Sequence, residues 1–196
     1  MQRKTVIIKY NAGNIRSVDF ALRRLGISAE ITSDHAKIQS ADKVIFPGVG
    51  EASSTMQYLR EQQLDKVIKN LKQPVLGICL GMQLMCNSSE ENDTPGLGIL
   101  DARVKRFRDT NLKIPHVGWS RIYNLHSSIF QGVEEGSYVY FVHSYYVETG
   151  SHTIAKTDYS MPFSSAANQE NFFATQFHPE KSGKTGEQIL KNFINL

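Results

Sequence analysis

Two short stretches of this sequence carry side chains that together could cleave an amide bond. The first is Pro74-Val-Leu-Gly-Ile-Cys-Leu-Gly-Met-Gln83, an apolar run reaching Cys79 with Gly77 and Gly81 two residues away on either side. Small neighbours permit a sharp strand-to-helix turn, which holds a nucleophile out at the carboxyl end of a strand, where open α/β sheets place their sites. The amides and dipole of the following helix stabilise a thiolate and lower its pKa. The second stretch, Ala174-Thr-Gln-Phe-His178-Pro-Glu180, is a β-type run ending in an imidazole and a carboxylate. Pro179 biases His178 toward an extended backbone. In an extended segment residues two apart project to one side, so Glu180 is placed to bond one ring nitrogen while the other faces the sulfur. A third stretch, Phe46-Pro-Gly-Val-Gly50, is a strand ending in a glycine turn. Its amides, with that of Leu80 just after the cysteine, suit the oxyanion of a tetrahedral intermediate.

Each stretch also has a plainer reading. A free cysteine is among the most buried residue types, a histidine before proline is often only a loop residue, and glycines commonly serve turns. What favours chemistry is their joint occurrence, since neither the cysteine elbow nor the His-Pro-Glu segment needs the other for folding.

The elements that would position these residues are legible in the order of apolar runs. Val6-Ile7-Ile8, a helical pattern over Ile15 to Leu25 stopped by Gly26, Val44-Ile45-Phe46, helices between Ser53 and Leu71, and Val75 to Ile78 alternate as parallel strands with crossover helices do. Beyond residue 98 the runs Ile99 to Phe107, Tyr138 to Val147 and Thr153 to Tyr159 follow closely, and a helix returns at Gly186 to Phe193. The expected fold class is α/β, a mostly parallel central sheet flanked by helices, with an antiparallel region added in the C-terminal half. The 196 residues are read as a single domain, 1–196.

Composition excludes several classes. A net charge of +3 with dispersed basic residues does not favour nucleic-acid binding. The densest basic run, Arg103 to Arg108, suits contact with phosphate or an acidic partner, but a solvated edge strand explains it at least as well. The longest apolar stretches fall short of the ~20 residues of a membrane span. The first ten residues lack a leader's long apolar region, so the chain is expected to start at Met1 and to be cytoplasmic. Cys79 and Cys86 read as sharing one helix, about 10 Å apart along its axis, too far for a disulfide. The His and Cys spacings match no zinc pattern, and neither metal nor cofactor is expected.

Gly-Ile-Cys79-Leu-Gly-Met-Gln83 and His178-Pro-Glu180 resemble class I, triad-type glutamine amidotransferases. Gly13-Asn-Ile-Arg-Ser-Val18, Pro47-Gly-Val-Gly50, Pro115-His-Val-Gly-Trp119, Tyr140-Phe-Val-His-Ser-Tyr-Tyr146 and Thr175-Gln-Phe-His-Pro-Glu-Lys181 are similar to the glutaminase subunits of imidazole glycerol phosphate synthase in histidine biosynthesis. The resemblance spans nearly the whole chain and implies a flavodoxin-like fold. It implies a Cys79, His178 and Glu180 triad, an oxyanion hole from the Val49 and Leu80 amides, and glutamine bound by Gly50, Gln83, Glu91, Ser144 and Tyr145. In such proteins the Val49 peptide must reorient, so that glutaminase activity waits on a loaded partner. That partner would be a (β/α)8-barrel cyclase subunit, which conducts ammonia and meets Pro115, His116, Trp119 and Lys181. Lys9 and Asn11 stand where the family has aspartate and glycine, and Val117 where it often has methionine. Other readings stay open: a glutaminase serving anthranilate, guanylate or surface-sugar amidation, a catalytically silent partner-binding module, or a cysteine peptidase.

Overall fold

The computed structural model describes residues 3–11, 13–108 and 112–196. Met1 and Gln2, at the head of the segment read for a leader, lie outside them. In chain order the elements are β1 (Thr5–Ile8), α1 (Ile15–Arg24), β2 (Ala29–Thr32), α2 (His35–Gln39), β3 (Lys43–Gly48), α3 (Ala52–Glu61), α4 (Leu64–Lys69), β4 (Val75–Cys79), α5 (Leu80–Met85), β5 (Cys86–Ser89), β6 (Thr94–Pro95), β7 (Leu100–Arg106), β8 (His116–Arg121), β9 (Tyr138–His143), β10 (Tyr145–Val147), β11 (Thr153–Tyr159), β12 (Met161–Gln169), β13 (Phe172–Thr175) and α6 (Gly183–Asn195).

Strands β2, β1, β3, β4 and β13 form a parallel sheet in that spatial order. Such strands read as continuous apolar runs because helices cover both faces, and Val6, Ile7, Ile8, Val44, Ile45, Phe46, Val75 and Leu76 are all fully buried. The sheet continues through β12, β10 and β7, each joined antiparallel to the strand before it, then to β5, which runs parallel to β7, and to β6. The expected α/β class and its added antiparallel region are both present. Two apolar clusters fill the two sides of the sheet, one around Phe46, Met56 and Leu59, the other around Leu22, Phe163 and Phe193. Helix α1 buries Val18, Ala21 and Leu22 on one stripe. It ends at Gly26, whose φ of 75° suits a residue without a Cβ.

The structure differs from the expected elements in three places. The run from Tyr138 to Val147 is broken at Ser144: β9 pairs with β8 in a separate two-stranded sheet, while β10 enters the main one. The segment Pro115 to Trp119, which shows no strand-like apolar run, is largely strand β8. Cys79 and Cys86 do not share a helix, because α5 spans only Leu80 to Met85 between them; both thiols are buried and free. Among the described residues no helix is long and apolar enough to cross a membrane.

Candidate active site

Cys79 is the last residue of β4 and adopts φ 54° and ψ −107°. A non-glycine residue at such angles is strained and persists only when its surroundings over-determine it. Here they do. β4 is hydrogen-bonded on both sides, to β3 and β13, and α5 packs directly onto β3. A Cβ on Gly81 would overlap the Phe46 carbonyl oxygen, so the second glycine of the motif is there to let helix and strand touch. The turn aims the Cys79 sulfur at a polar rim, with the Gln176 amide nitrogen 3.7 Å and the Val142 carbonyl oxygen 3.9 Å away.

His178 lies beyond the end of β13, with an extended backbone at φ −96° and ψ 95°. Its amide donates to the Tyr140 carbonyl at 2.9 Å, and the Ser182 hydroxyl donates to its carbonyl at 2.6 Å. Nδ1 of His178 is 2.7 Å from Oε1 of Glu180, and both side chains are fully buried. The pairing was expected, but its backbone differs: Pro179–Lys181 form a 3-10 turn rather than a continued strand. That turn, not strand alternation, brings the carboxylate back to the ring. Burial lowers the His178 pKa, yet Cys79 and Glu180 beside it outweigh this and hold it well above the ordinary imidazole value. Nε2, the remaining ring nitrogen, is buried without a hydrogen-bond partner among the described residues, and is the atom free to exchange a proton at the sulfur.

Cys79 opens into a cavity of about 370 Å³ lined by Val49, Gly50, Leu80, Gln83, Glu91, Pro115, Val142, His143, Ser144 and Tyr145. All the residues that the family resemblance implied for the oxyanion hole and for glutamine are therefore brought to one wall or another of a single cleft. Their existing bonds define what each has to offer. The Gln83 side-chain nitrogen already donates to the Tyr145 carbonyl at 2.9 Å and to Oε1 of Gln176 at 3.0 Å, leaving its own carbonyl oxygen for a ligand. Oε2 of Glu91 accepts from the Ala52 amide at the start of α3, and burial raises its pKa. Along β9, Val139, Phe141 and His143 are buried and Tyr138 is exposed; Val142 and one edge of His143, with Ser144 just beyond the strand, reach the cleft.

Of the residues expected at a partner interface, Trp119 and Lys181 are exposed, the former to 53%, as is Pro115 at the mouth of the cleft. Lys181 sits over the Tyr140 ring at 5.9 Å. His116 is not presented there. It is 3% exposed, stacked between Phe141 and Tyr159 and hydrogen-bonded to His143, because strand alternation turns it inward while its neighbours Val117 and Trp119 face out. Lys9 and Asn11 are exposed just past the end of β1. Among the described residues no three His, Cys, Asp or Glu side chains converge as a metal site requires.

Three contributors escaped sequence reasoning. Asn14, in the left-handed region at the start of α1, donates to Oε1 of Glu180 at 2.5 Å. Gln176 contacts the sulfur. The buried Tyr10 hydroxyl donates to the Pro47 carbonyl of the glycine turn, and its ring packs at a tilt against Phe46. All three sit inside or beside the motifs already quoted, but long-range side-chain bonds leave no periodic trace in a sequence.

The histidines make stability pH-dependent in a defined window. Burial pushes His116 down to about 4 and His143 down to about 3, from 6.5 in the unfolded chain. Below pH 6.5 the unfolded state binds protons that the folded state refuses, so stability is full above 6.5 and falls as acid carries the pH toward 4. His178 works the other way: its contribution is complete below 6.5 and fades as pH climbs toward its raised value. Urea unfolding is expected to show a chain on the order of 2–4 kcal/mol less stable at pH 5 than at pH 7. Equal stability at the two values would contradict the neutral buried pair.

The class-I glutamine amidotransferase model matches residues 6–196. The imidazole glycerol phosphate synthase subunit HisH of Bacteroides fragilis strain YCH46 is 60% identical over 195 residues, covering 98% of this chain and 100% of that protein. The subunit of the same name from Haemophilus influenzae strain Rd is 49% identical over 189 residues, covering 96% and 95%. Among solved structures, a glutamine amidotransferase superposes with a TM-score of 0.75 at 19% identity over 97% of both chains. PurLQS from Thermotoga maritima gives 0.71 at 16%, over 100% of this chain and 99% of that one. The solved structures establish the fold, and the close relatives establish more: this chain belongs to the class-I glutamine amidotransferases and, within them, to the family of imidazole glycerol phosphate synthase HisH subunits.

Proposed function

We propose that this chain, acting as one domain in the cytoplasm, is the glutaminase subunit of an imidazole glycerol phosphate synthase. It hydrolyses glutamine to glutamate and ammonia in histidine biosynthesis and hands the ammonia to a (β/α)8-barrel cyclase subunit. The observation that carries the reading is the single cleft in which Cys79 meets Val49, Gly50, Leu80, Gln83, Glu91, Ser144 and Tyr145, with the bonded His178–Glu180 pair buried behind it.

Glutamine enters with its carboxamide at Cys79 and its amino-acid end toward Gly50, Gln83, Glu91 and the Ser144–Tyr145 backbone. The Cys79 thiolate attacks the side-chain carbonyl carbon, forming the C–S bond, and the oxyanion is met by the amides of Leu80 and Val49. His178 gives its Nε2 proton to the departing nitrogen, so that the C–N bond breaks and ammonia leaves. Water then attacks the thioester, the same imidazole takes its proton, and glutamate departs from a restored thiolate. Glu180, with Asn14 on the same oxygen, keeps Nδ1 of the ring protonated and steadies the imidazolium.

The face carrying Pro115, Trp119 and Lys181 is where the cyclase docks. A half-exposed tryptophan beside a cation held over an aromatic ring is the composition of an interaction hot spot. The acceptor reaction there yields imidazole glycerol phosphate and aminoimidazole carboxamide ribotide. Co-purification of the chain with a barrel cyclase, followed by an assay for glutamine-dependent product, tests the assignment. Glutamate release and transfer of its amide nitrogen to the imidazole product are expected. Failure of the two chains to associate would overturn the partner, and absence of glutamate release from the assembled pair would overturn the chemistry.

A further inference from the structure

The buried pair His116 and His143 is not used by any step above, yet it touches the cleft. The two residues face one another across β8 and β9, and their contacts form a chain. Nδ1 of His143 lies 2.7 Å from the Tyr145 carbonyl oxygen, Nε2 of His143 lies 3.0 Å from Nδ1 of His116, and Nε2 of His116 lies 2.9 Å from the Ser120 hydroxyl.

One end of this chain fixes every proton in it. A carbonyl oxygen can only accept, so His143 carries its proton on Nδ1. In a neutral ring Nε2 is then an acceptor, and His116 must donate to it from its own Nδ1. Nε2 of His116 is left to accept from Ser120. Both rings are buried among aromatic groups where a charged form is disfavoured, and the His116 plane is locked between Tyr159 at 4.0 Å and Phe141 at 4.9 Å. The Tyr145 carbonyl that receives this bond also receives Gln83, which is tied through Gln176 to the sulfur of Cys79.

We propose that His116 and His143 are positioning residues for the glutamine pocket, a pair of Nδ1–H imidazoles that hold the Tyr145 carbonyl, and through it Gln83, in register with strand β8. This deepens the glutaminase reading and rests on it. β8 is the strand whose outward residues, Val117 and Trp119, are exposed, so the pocket wall is connected by hydrogen bonds to the surface strand beside it.

Two measurements test the proposal. Nitrogen-15 NMR of imidazole-labelled native chain at neutral pH is expected to show both residues as Nδ1–H tautomers. An Nε2–H form of either would overturn the network, and because this needs no activity, its failure is distinguishable from failure of the glutaminase reading. Glutamine kinetics of the cyclase complex then compare His116→Asn, which keeps a donor at the Nδ1 position, with His116→Leu, which removes it. Both lose the aromatic stacking and are expected to lose similar thermal stability. The leucine variant is expected to raise KM for glutamine about 10-fold, as loss of one net hydrogen bond's ordering would, with kcat within about threefold, and the asparagine variant to stay within about threefold in KM. Equal KM values for the two variants would reduce the histidines to core filling. A leucine variant that does not fold leaves the tautomers of the native chain to decide.

Discussion

Replacing Cys79 by alanine is expected to remove glutaminase activity by at least about four orders of magnitude, because no other group in the cleft can form the thioester. Gln176 and the Val142 carbonyl reach the sulfur but are not nucleophiles, and Cys86 is sealed at 0% exposure with its pKa pushed up by burial. The same variant, assembled with the cyclase and supplied with ammonium salts in place of glutamine, is expected to support normal cyclisation, since the substitution deletes one thiol from a cleft whose walls are held by Gln83, Tyr145 and the sheet. Glutamate release and product formation, measured side by side, separate the two half-reactions. Full glutaminase activity in the alanine variant would overturn the mechanism.

Gly81→Ala is expected to be severely destabilising for a single added methyl group. The added Cβ meets the Phe46 carbonyl, and Phe46 cannot retreat, because its strand β3 is bonded to β1 on one side and β4 on the other. Overpacking against fixed backbone costs about 3 kcal/mol or more, which in a chain of this size lowers Tm by roughly 6–12 °C. Whatever fraction still folds must do so with α5 displaced from β3, which moves the Leu80 amide and the Cys79 turn together. Calorimetry and residual glutaminase activity both report on this. A Tm within about 2 °C of the native value would show that helix and strand are not in the contact described.

The parallel half of the fold was legible because buried strands and amphipathic helices write themselves locally, as continuous apolar runs and as stripes at Val18, Ala21 and Leu22. The Cys79 elbow was legible for the same reason, since the glycines that permit it are two residues away. Relations across space were less so. Glu180 was paired correctly with His178 on the wrong backbone, because alternation in a strand and a 3-10 turn after Pro179 predict the same side-chain neighbour. The family resemblance groups His116 with Trp119 as one segment at the partner, whereas the pleat of β8 sends them to opposite sides. Asn14 and Gln176 act over separations of 166 and 97 residues, which neither periodicity nor spacing encodes. The family resemblance supplied the cleft residues, and the fold supplies the reason they meet.

Strand β9 also defines where the chain can change length. Its alternate residues are committed in two directions, Val139, Phe141 and His143 to the buried side and Tyr138, Tyr140 and Val142 to the other. It bonds the His178 backbone through Tyr140, and it borders the sulfur through Val142. Adding or deleting one residue there would exchange the two sets at every position beyond the change. Divergence among relatives can therefore substitute residues between Tyr138 and Ser144 but has no room to insert or remove them, and the freedom to lengthen belongs to the segments on either side, between β8 and β9 and between β10 and β11.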